Sequence, residues 1–128
     1  MDINKRLKRL EYFLRDNSSP ILVDFAEVKH FNNPIVLESN ISELELYGNN
    51  TAPTWYHKVE EANGSRVYLI INNIAKIPKN EQKKFISLLK DKECNNKKLQ
   101  ENVSIIVLIK DNEKDLLDKE LLSYLIVI

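Results

Sequence analysis

Two blocks of this chain are apolar almost without a break. One is the first half of Arg66–Pro78 (RVYLIINNIAKIP), and the other is Val103–Ile109 (VSIIVLI). A strand with water on one face alternates apolar and polar residues, whereas a strand covered on both faces does not. Both blocks therefore predict central strands of a parallel sheet, over residues 66–72 and 103–109. Shorter apolar runs predict three more strands, over residues 21–25 (ILVDF), 34–38 (PIVLE) and 124–128 (YLIVI).

Elsewhere the apolar residues recur at helical spacing. Ile3, Leu7, Leu10, Phe13 and Leu14 predict an amphipathic helix over 3–15, ending near Asp16-Asn17-Ser18 ahead of Pro20. Trp55, Val59 and Ala62 predict a second over 54–62, with Thr54 as its cap and Asn63-Gly64 as its stop. Gln82, Phe85, Ile86 and Leu89 predict a third over 79–91, opened by Pro78. Leu116, Leu117, Leu121 and Leu122 predict a fourth over 115–123. Ser39–Asn50 and Cys94–Asn102 read as polar connections. Helices alternating with buried strands predict one α/β domain over 1–128, three-layered and mainly parallel. The weakest joint is between 21–25 and 34–38. Only eight residues, Ala26–Asn33, lie between these strands, so they form either a minimal crossover or an antiparallel pair.

Composition narrows the chemistry. Net charge is zero, which removes any global pull toward nucleic acid or anionic lipid. A local basic stripe remains on the first helix (Lys5, Arg6, Lys8, Arg9, Arg15). The single cysteine, Cys94, excludes an internal disulfide and fits a reducing compartment, so a cytoplasmic location is expected. One cysteine and two histidines leave no usual zinc site. No apolar run reaches membrane-spanning length, and the charged, amphipathic N-terminal stretch is unlike a signal peptide. Asn40-Ile41-Ser42 and Asn63-Gly64-Ser65 match glycosylation triplets, a chance product of abundant asparagine. His30 and His57 have no nucleophile motif beside them, and Asp24, Glu60 and Glu61 form no recognisable carboxylate pair. Leu46, Tyr47, Trp55 and Tyr56 form an apolar and aromatic set suited to a contact surface.

From Pro34 onward the order of features resembles the core of an AAA+ ATPase, closest to the MoxR-like and enhancer-binding branches. SELELYG (Ser42–Gly48) is similar to the family's acidic segment ending in Leu-Phe/Tyr-Gly. EEANGS (Glu60–Ser65) is similar to its Ala-x-Gly-Gly/Ser element. RVYLIINNI stands where the Walker B strand does, and IPKNEQKKFISLL resembles the proline and glutamine-bearing helix after it. LQENVSIIVLIKDN resembles the sensor strand, with Asp111 or Asn112 at the sensor position. LLSYLIVI stands where the family core closes with Leu-Leu-Ser-Arg-Phe and a last strand.

Set against that resemblance, the catalytic parts are missing. A phosphate loop needs glycines that let backbone N–H groups wrap the phosphates, followed by Lys-Ser/Thr. Only Gly48 and Gly64 occur, neither before such a pair, and Lys29 is at most a remnant. The Walker B acids, which hold hydrated Mg²⁺ and polarise water, are replaced by Asn72 and Asn73. Tyr124 stands at the arginine-finger position, and a phenol supplies no positive charge. The chain ends where the lid domain would begin, which leaves open whether it is part of a longer protein. The resemblance therefore implies a P-loop-like fold with a truncated phosphate site and no cofactor. It implies a protein-interaction role, with an active AAA+ subunit or a second copy as partner. The alternative is a nucleic-acid accessory factor using the basic first helix with Lys83, Lys84, Lys97 and Lys98.

Overall fold

The computed structural model describes residues 2–16, 19–94 and 96–128. Helix α1 (Ile3–Asp16) comes first, as its spacing predicts. Asn17 and Ser18, expected near its end, lie outside the described residues. Strands β1 (Ile21–Val23) and β2 (Ile35–Glu38) follow, then short helices α2 (Glu43–Tyr47) and α3 (Tyr56–Glu61). Next are β3 (Val67–Asn72), α4 (Lys79–Gln82), α5 (Ile86–Asp91) and a small hairpin of β4 (Glu93–Cys94) and β5 (Lys97–Lys98). Strand β6 (Val103–Leu108), helix α6 (Lys119–Ser123) and strand β7 (Ile126–Val127) complete the chain.

Five strands form one parallel sheet in the order β2-β3-β6-β1-β7. The two uninterrupted apolar blocks occupy its centre, β3 against β6, with Val67 opposite Val103 and Ile71 opposite Val107. Every residue of β6 is buried. One face of the sheet is covered by α1 and the crossover after β1, which pack Leu10, Leu14 and Phe31 onto Ile21, Val23, Ile70 and Ile106. The other face carries the larger core, where Leu46, Trp55, Val59, Phe85, Leu88 and Leu121 meet Leu69, Ile71, Ile105 and Val107. The result is the three-layered α/β domain that the hydrophobic pattern predicts.

The doubtful joint resolves as the minimal crossover, not as an antiparallel pair. Strands β1 and β2 do not pair; β6 and β3 lie between them, and all run parallel. Three strand spacings amount to about 14 Å, and a four-residue strand to about 13 Å. The connection must cover both, and Asp24–Pro34 can extend to about 36 Å. A crossover without a full helix suffices because the strands are short. It carries only one 3-10 turn, Val28–His30.

Several boundaries differ from expectation. The strand expected over 21–25 ends at Val23, and that over 124–128 contracts to Ile126–Val127. The helix expected from Thr54 starts at Tyr56 without a side-chain cap; Pro53 accepts from the Tyr56 N–H instead. Asn63 and Gly64 stop it in the left-handed region, with φ of 49° and 88°. The helix expected over 79–91 is interrupted by a 3-10 turn at Lys83–Phe85. That over 115–123 divides into a 3-10 turn, Lys114–Leu116, and α6, which leaves Leu116 exposed.

Within the segment expected to be a polar connection, α2 is a true helix. Ser42 caps it by accepting from Glu45 N–H, while the Glu45 carboxylate accepts from Ser42 N–H. This Ser-x-x-Glu capping box is written in SELE and is the sequence signal that reveals α2. Gly48 closes the helix at φ 75°, and a Cβ there would stand 2.2 Å from the Thr51 carbonyl oxygen. The polar loop expected over 94–102 contains the β4–β5 hairpin; Asn95 lies outside the described residues.

Candidate functional site

A crevice of about 340 Å³ opens outside the carboxyl ends of β1, β3 and β6. From β1 the chain crosses to the β2 edge of the sheet; from β6 it crosses the opposite way, to β7. Neighbouring strands whose connections leave in opposite directions, over opposite faces of the sheet, have a gap between their loops, and ligands of open α/β sheets bind in such gaps. Ala26–Lys29 line it after β1, Asn72, Asn73, Ala75 and Lys76 after β3, and Lys110 and Glu113 after β6.

At the end of β3 the two asparagines converge on one carboxylate. Glu38, in register with Asn72 on the neighbouring strand, accepts from Asn72 Nδ2 through Oε1 at 3.2 Å. Its Oε2 accepts from Asn73 Nδ2 at 3.0 Å. The turn at Asn73 (φ 62°, ψ 25°) makes this convergence feasible, and asparagine enters that left-handed region more readily than most residues. Both amides are thereby committed as donors to Glu38. They present neutral groups where the resemblance expects a metal-holding acid and a base.

The segment after β1, where the resemblance expects a phosphate loop, is also engaged with itself. The N–H of Glu27 donates to His30 Nδ1 at 2.9 Å, His30 N–H to the Glu27 carbonyl at 3.0 Å, and Phe31 N–H to the Val28 carbonyl at 3.1 Å. A phosphate cradle needs several unengaged N–H groups aimed at one point. Here three donors close a 3-10 turn. Lys29 is paired with Glu27 at 3.3 Å and is largely exposed.

The loop after β6 turns its tip away. Asp111 and Asn112 are exposed; Asn112, at φ 69°, donates its N–H to Asp111 Oδ1. Lys110 and Glu113 face the crevice instead, with Lys110 N–H donating to Glu113 Oε1 at 2.6 Å. The sensor assignment therefore misses the crevice-facing residues of this loop by one position on either side. Tyr124 is further still. It is half-buried beside Ser19, Pro20 and Lys92, just before β7 and so at the amino end of the sheet, opposite the crevice. Among the described residues no group of three His, Cys, Asp or Glu side chains could hold a metal ion.

The expected contact surface proves to be core. Leu46, Trp55 and Tyr56 are buried, and the Trp55 indole donates to the Leu46 carbonyl at 2.8 Å. Tyr47 points inward, its hydroxyl donating to the Lys84 carbonyl and accepting from Leu88 N–H. Burial pushes its phenol up to about 12, and burial beside the same helix pushes the Cys94 thiol up to about 11. His57 is an exposed partner of Glu60.

Two basic groups expected to act together lie on opposite layers. Lys5, Lys8 and Arg9 are exposed on α1, while Arg6 is drawn onto the Phe25 ring and toward Asp24. On the far layer Lys83 is held by Asp118 at 3.1 Å, and Lys84 donates to the Ile41 carbonyl.

Gln82, the helix glutamine of the resemblance, is fully buried and fully used. Nε2 donates to the carbonyls of Ile77 at 3.0 Å and Leu116 at 2.9 Å, and Oε1 accepts from Asp118 N–H at 2.7 Å. Asp118 in turn caps α6 by accepting from Leu121 N–H. That bond first, and Lys83 second, hold its carboxyl below the usual carboxylate value. Gln82 is thus a structural pin. No helix among the described residues is long and apolar enough to cross a membrane. In comparison with known proteins, the chain matches no family model, and no curated protein matches it.

Proposed function

We propose that the chain is a non-catalytic AAA+-like domain of the cytoplasm, acting by protein contact with an active AAA+ subunit or with a second copy. The observation that carries this reading is the double engagement of Glu38 by Asn72 and Asn73, which leaves neutral donors at the Walker B position. The turn Val28–His30 adds to it, because the N–H groups of Glu27, His30 and Phe31 are engaged within the segment itself. What such a domain retains is a rigid sheet and its surfaces, and these suit a scaffold.

Calorimetric titration with Mg-ATP tests the catalytic half of this reading. No saturable heat and no phosphate release are expected, from the wild type or from N72D/N73E. Micromolar affinity, or turnover that disappears on changing Asn72 or Asn73, would overturn it.

A second reading, nucleic-acid contact, is favoured by one feature of α1. Lys5, Lys8 and Arg9 share its outer side with Tyr12, 65% exposed, against which Arg15 stacks at 4.9 Å. Salt-dependent retention of single-stranded DNA, lost in K8E/R9E, is its test.

A further inference from the structure

The sheet face beneath α1 is not covered to its amino end. Helix α1 packs Leu10 and Leu14 onto β1, β3 and β6, and the crossover after β1 has no full helix to cover the rest. Val67 packs on the opposite face, so alternation along β3 turns Arg66 and Tyr68 to the α1 side, where Arg66 is exposed and Tyr68 half-buried. There a cavity of about 350 Å³ is lined by Glu11, Leu14, Arg15, Arg66 and Tyr68. Arg66 directly precedes β3, which places the cavity at the pole of the sheet opposite the crevice.

The Arg66 guanidinium is anchored from one side. Nη1 donates to the Glu101 carbonyl at 2.9 Å and to the Ser104 hydroxyl at 3.1 Å, which uses both its hydrogens. Ser104 stands opposite Tyr68 in the sheet and is buried, so the anchor belongs to the packed strands. Nε and Nη2 have no protein partner among the described residues. Arg15, in the last turn of α1, stacks on Tyr12 and has no carboxylate partner among the described residues. The Tyr68 ring leans on Phe31, and its hydroxyl has no partner among the described residues. The lining thus sets two guanidiniums against one acid, Glu11. Arg66 takes the carbonyl of Glu101, not its carboxylate, and the charge of Arg66 reaches Lys92. Burial first, and Arg66 second, lower the Lys92 ammonium, with Glu101 acting the other way. The carbonyl end of α1 opposes an anion beside its last turn, but charge-assisted hydrogen bonds from two guanidiniums outweigh that screened effect.

We propose that this cavity binds a phosphate monoester. The unengaged Nε and Nη2 of Arg66 and the guanidinium of Arg15 take the phosphate oxygens, and the Tyr68 hydroxyl donates to one of them. Leu14 and the Tyr68 ring face the group that carries the phosphate. A guanidinium fork matches two phosphate oxygens at once, and two forks suit a dianion better than a singly charged carboxylate. This ligand goes beyond the scaffold reading and does not depend on it.

Calorimetric titration with phenyl phosphate tests it, with benzoate as the carboxylate control. Saturable binding of phenyl phosphate is expected, and weaker binding of benzoate. Affinity should fall about tenfold or more in R15Q and in R66Q, and by a smaller factor in Y68F. R66K keeps the charge but loses the fork, and it too should bind less tightly. K114Q removes an exposed cation outside the cavity and should leave affinity within about twofold. Melting curves confirm that each variant is folded, and R15Q, an exposed helix position, carries the test if R66Q does not fold. No saturable binding of phenyl phosphate would overturn the proposal. So would affinity unchanged in R15Q, or a loss in K114Q equal to that in R15Q, which would reduce the effect to overall charge. Benzoate binding as tightly as phenyl phosphate would overturn the choice of ligand.

Discussion

The Tyr47 hydroxyl stands between the Lys84 carbonyl and the Leu88 N–H, donating to the first and accepting from the second. Those two groups are four residues apart and would bond directly in a continuous helix. A side chain from α2 thus replaces one rung of the helix expected over 79–91, which gives that helix its 3-10 interruption at Lys83–Phe85.

Removing the hydroxyl in Y47F strands a buried donor and acceptor. A loss of about 1–3 kcal/mol is expected, read as a lower urea midpoint at unchanged m value. An unchanged midpoint would mean that the helix closes its own rung without cost.

The same phenol gives an alkaline signature. Its value is raised from 10.0 to about 12 in the folded chain, so folding favours the protonated form. Its stabilising contribution is complete below pH 10 and declines as pH rises toward about 12. Wild-type stability should therefore fall more steeply than that of Y47F across this window, followed by denaturant unfolding at each pH.

Gly48 tolerates no side chain. Alanine there must hold φ 75° and place its Cβ 2.2 Å from the Thr51 oxygen, so the 48–53 loop has to move. G48A should cost about 2 kcal/mol or more and lower the melting temperature, whereas G64A, in open space, should cost less.

The Gln82–Asp118 pin has two separable effects. Q82L leaves the Asp118 N–H and the Ile77 and Leu116 carbonyls without their partner, for an expected loss above about 2 kcal/mol. Asp118 titrates below its ordinary 3.8 in the folded state, so its contribution is present above that pH and is lost as pH falls further. D118N should flatten the acid limb of the stability profile, measured by unfolding between neutral and strongly acidic pH.

Placing acids at the end of β3 should harm the fold. In N72D/N73E two carboxylates face Glu38, where two amides now donate to it. A loss of about 1 kcal/mol at neutral pH is expected, recovered when the cluster is protonated. Melting curves at neutral and acid pH check it.

Much of the architecture was legible because its signals are local. The runs YLII and VSIIVLI have nowhere to go but a doubly covered strand, and they became the sheet's centre. The Asn63-Gly64 stop and the Ser42–Glu45 box depend on chemistry within one turn of chain. The candidate site was legible only in part. Asn72 and Asn73 lie at the crevice as their place after an apolar strand suggests, but their partner Glu38 lies 34 and 35 residues earlier. Aromatic residues at 47, 55 and 56 carry the same side chains whether they face a partner or the core, and only packing decided that they face the core.

By itself, then, the sequence determined an α/β domain with central strands expected over 66–72 and 103–109, and the lack of a glycine-rich phosphate cradle. These follow from residue type and short-range spacing. Tertiary structure alone decided that β1 and β2 are parallel yet separated by two strands, and that β2 is an edge. It also decided that Glu38 binds both asparagines and that Tyr47 breaks a helix far along the chain. Each of these is a meeting of residues distant in sequence, selected by how the whole chain buries its apolar faces, and no local pattern records that choice.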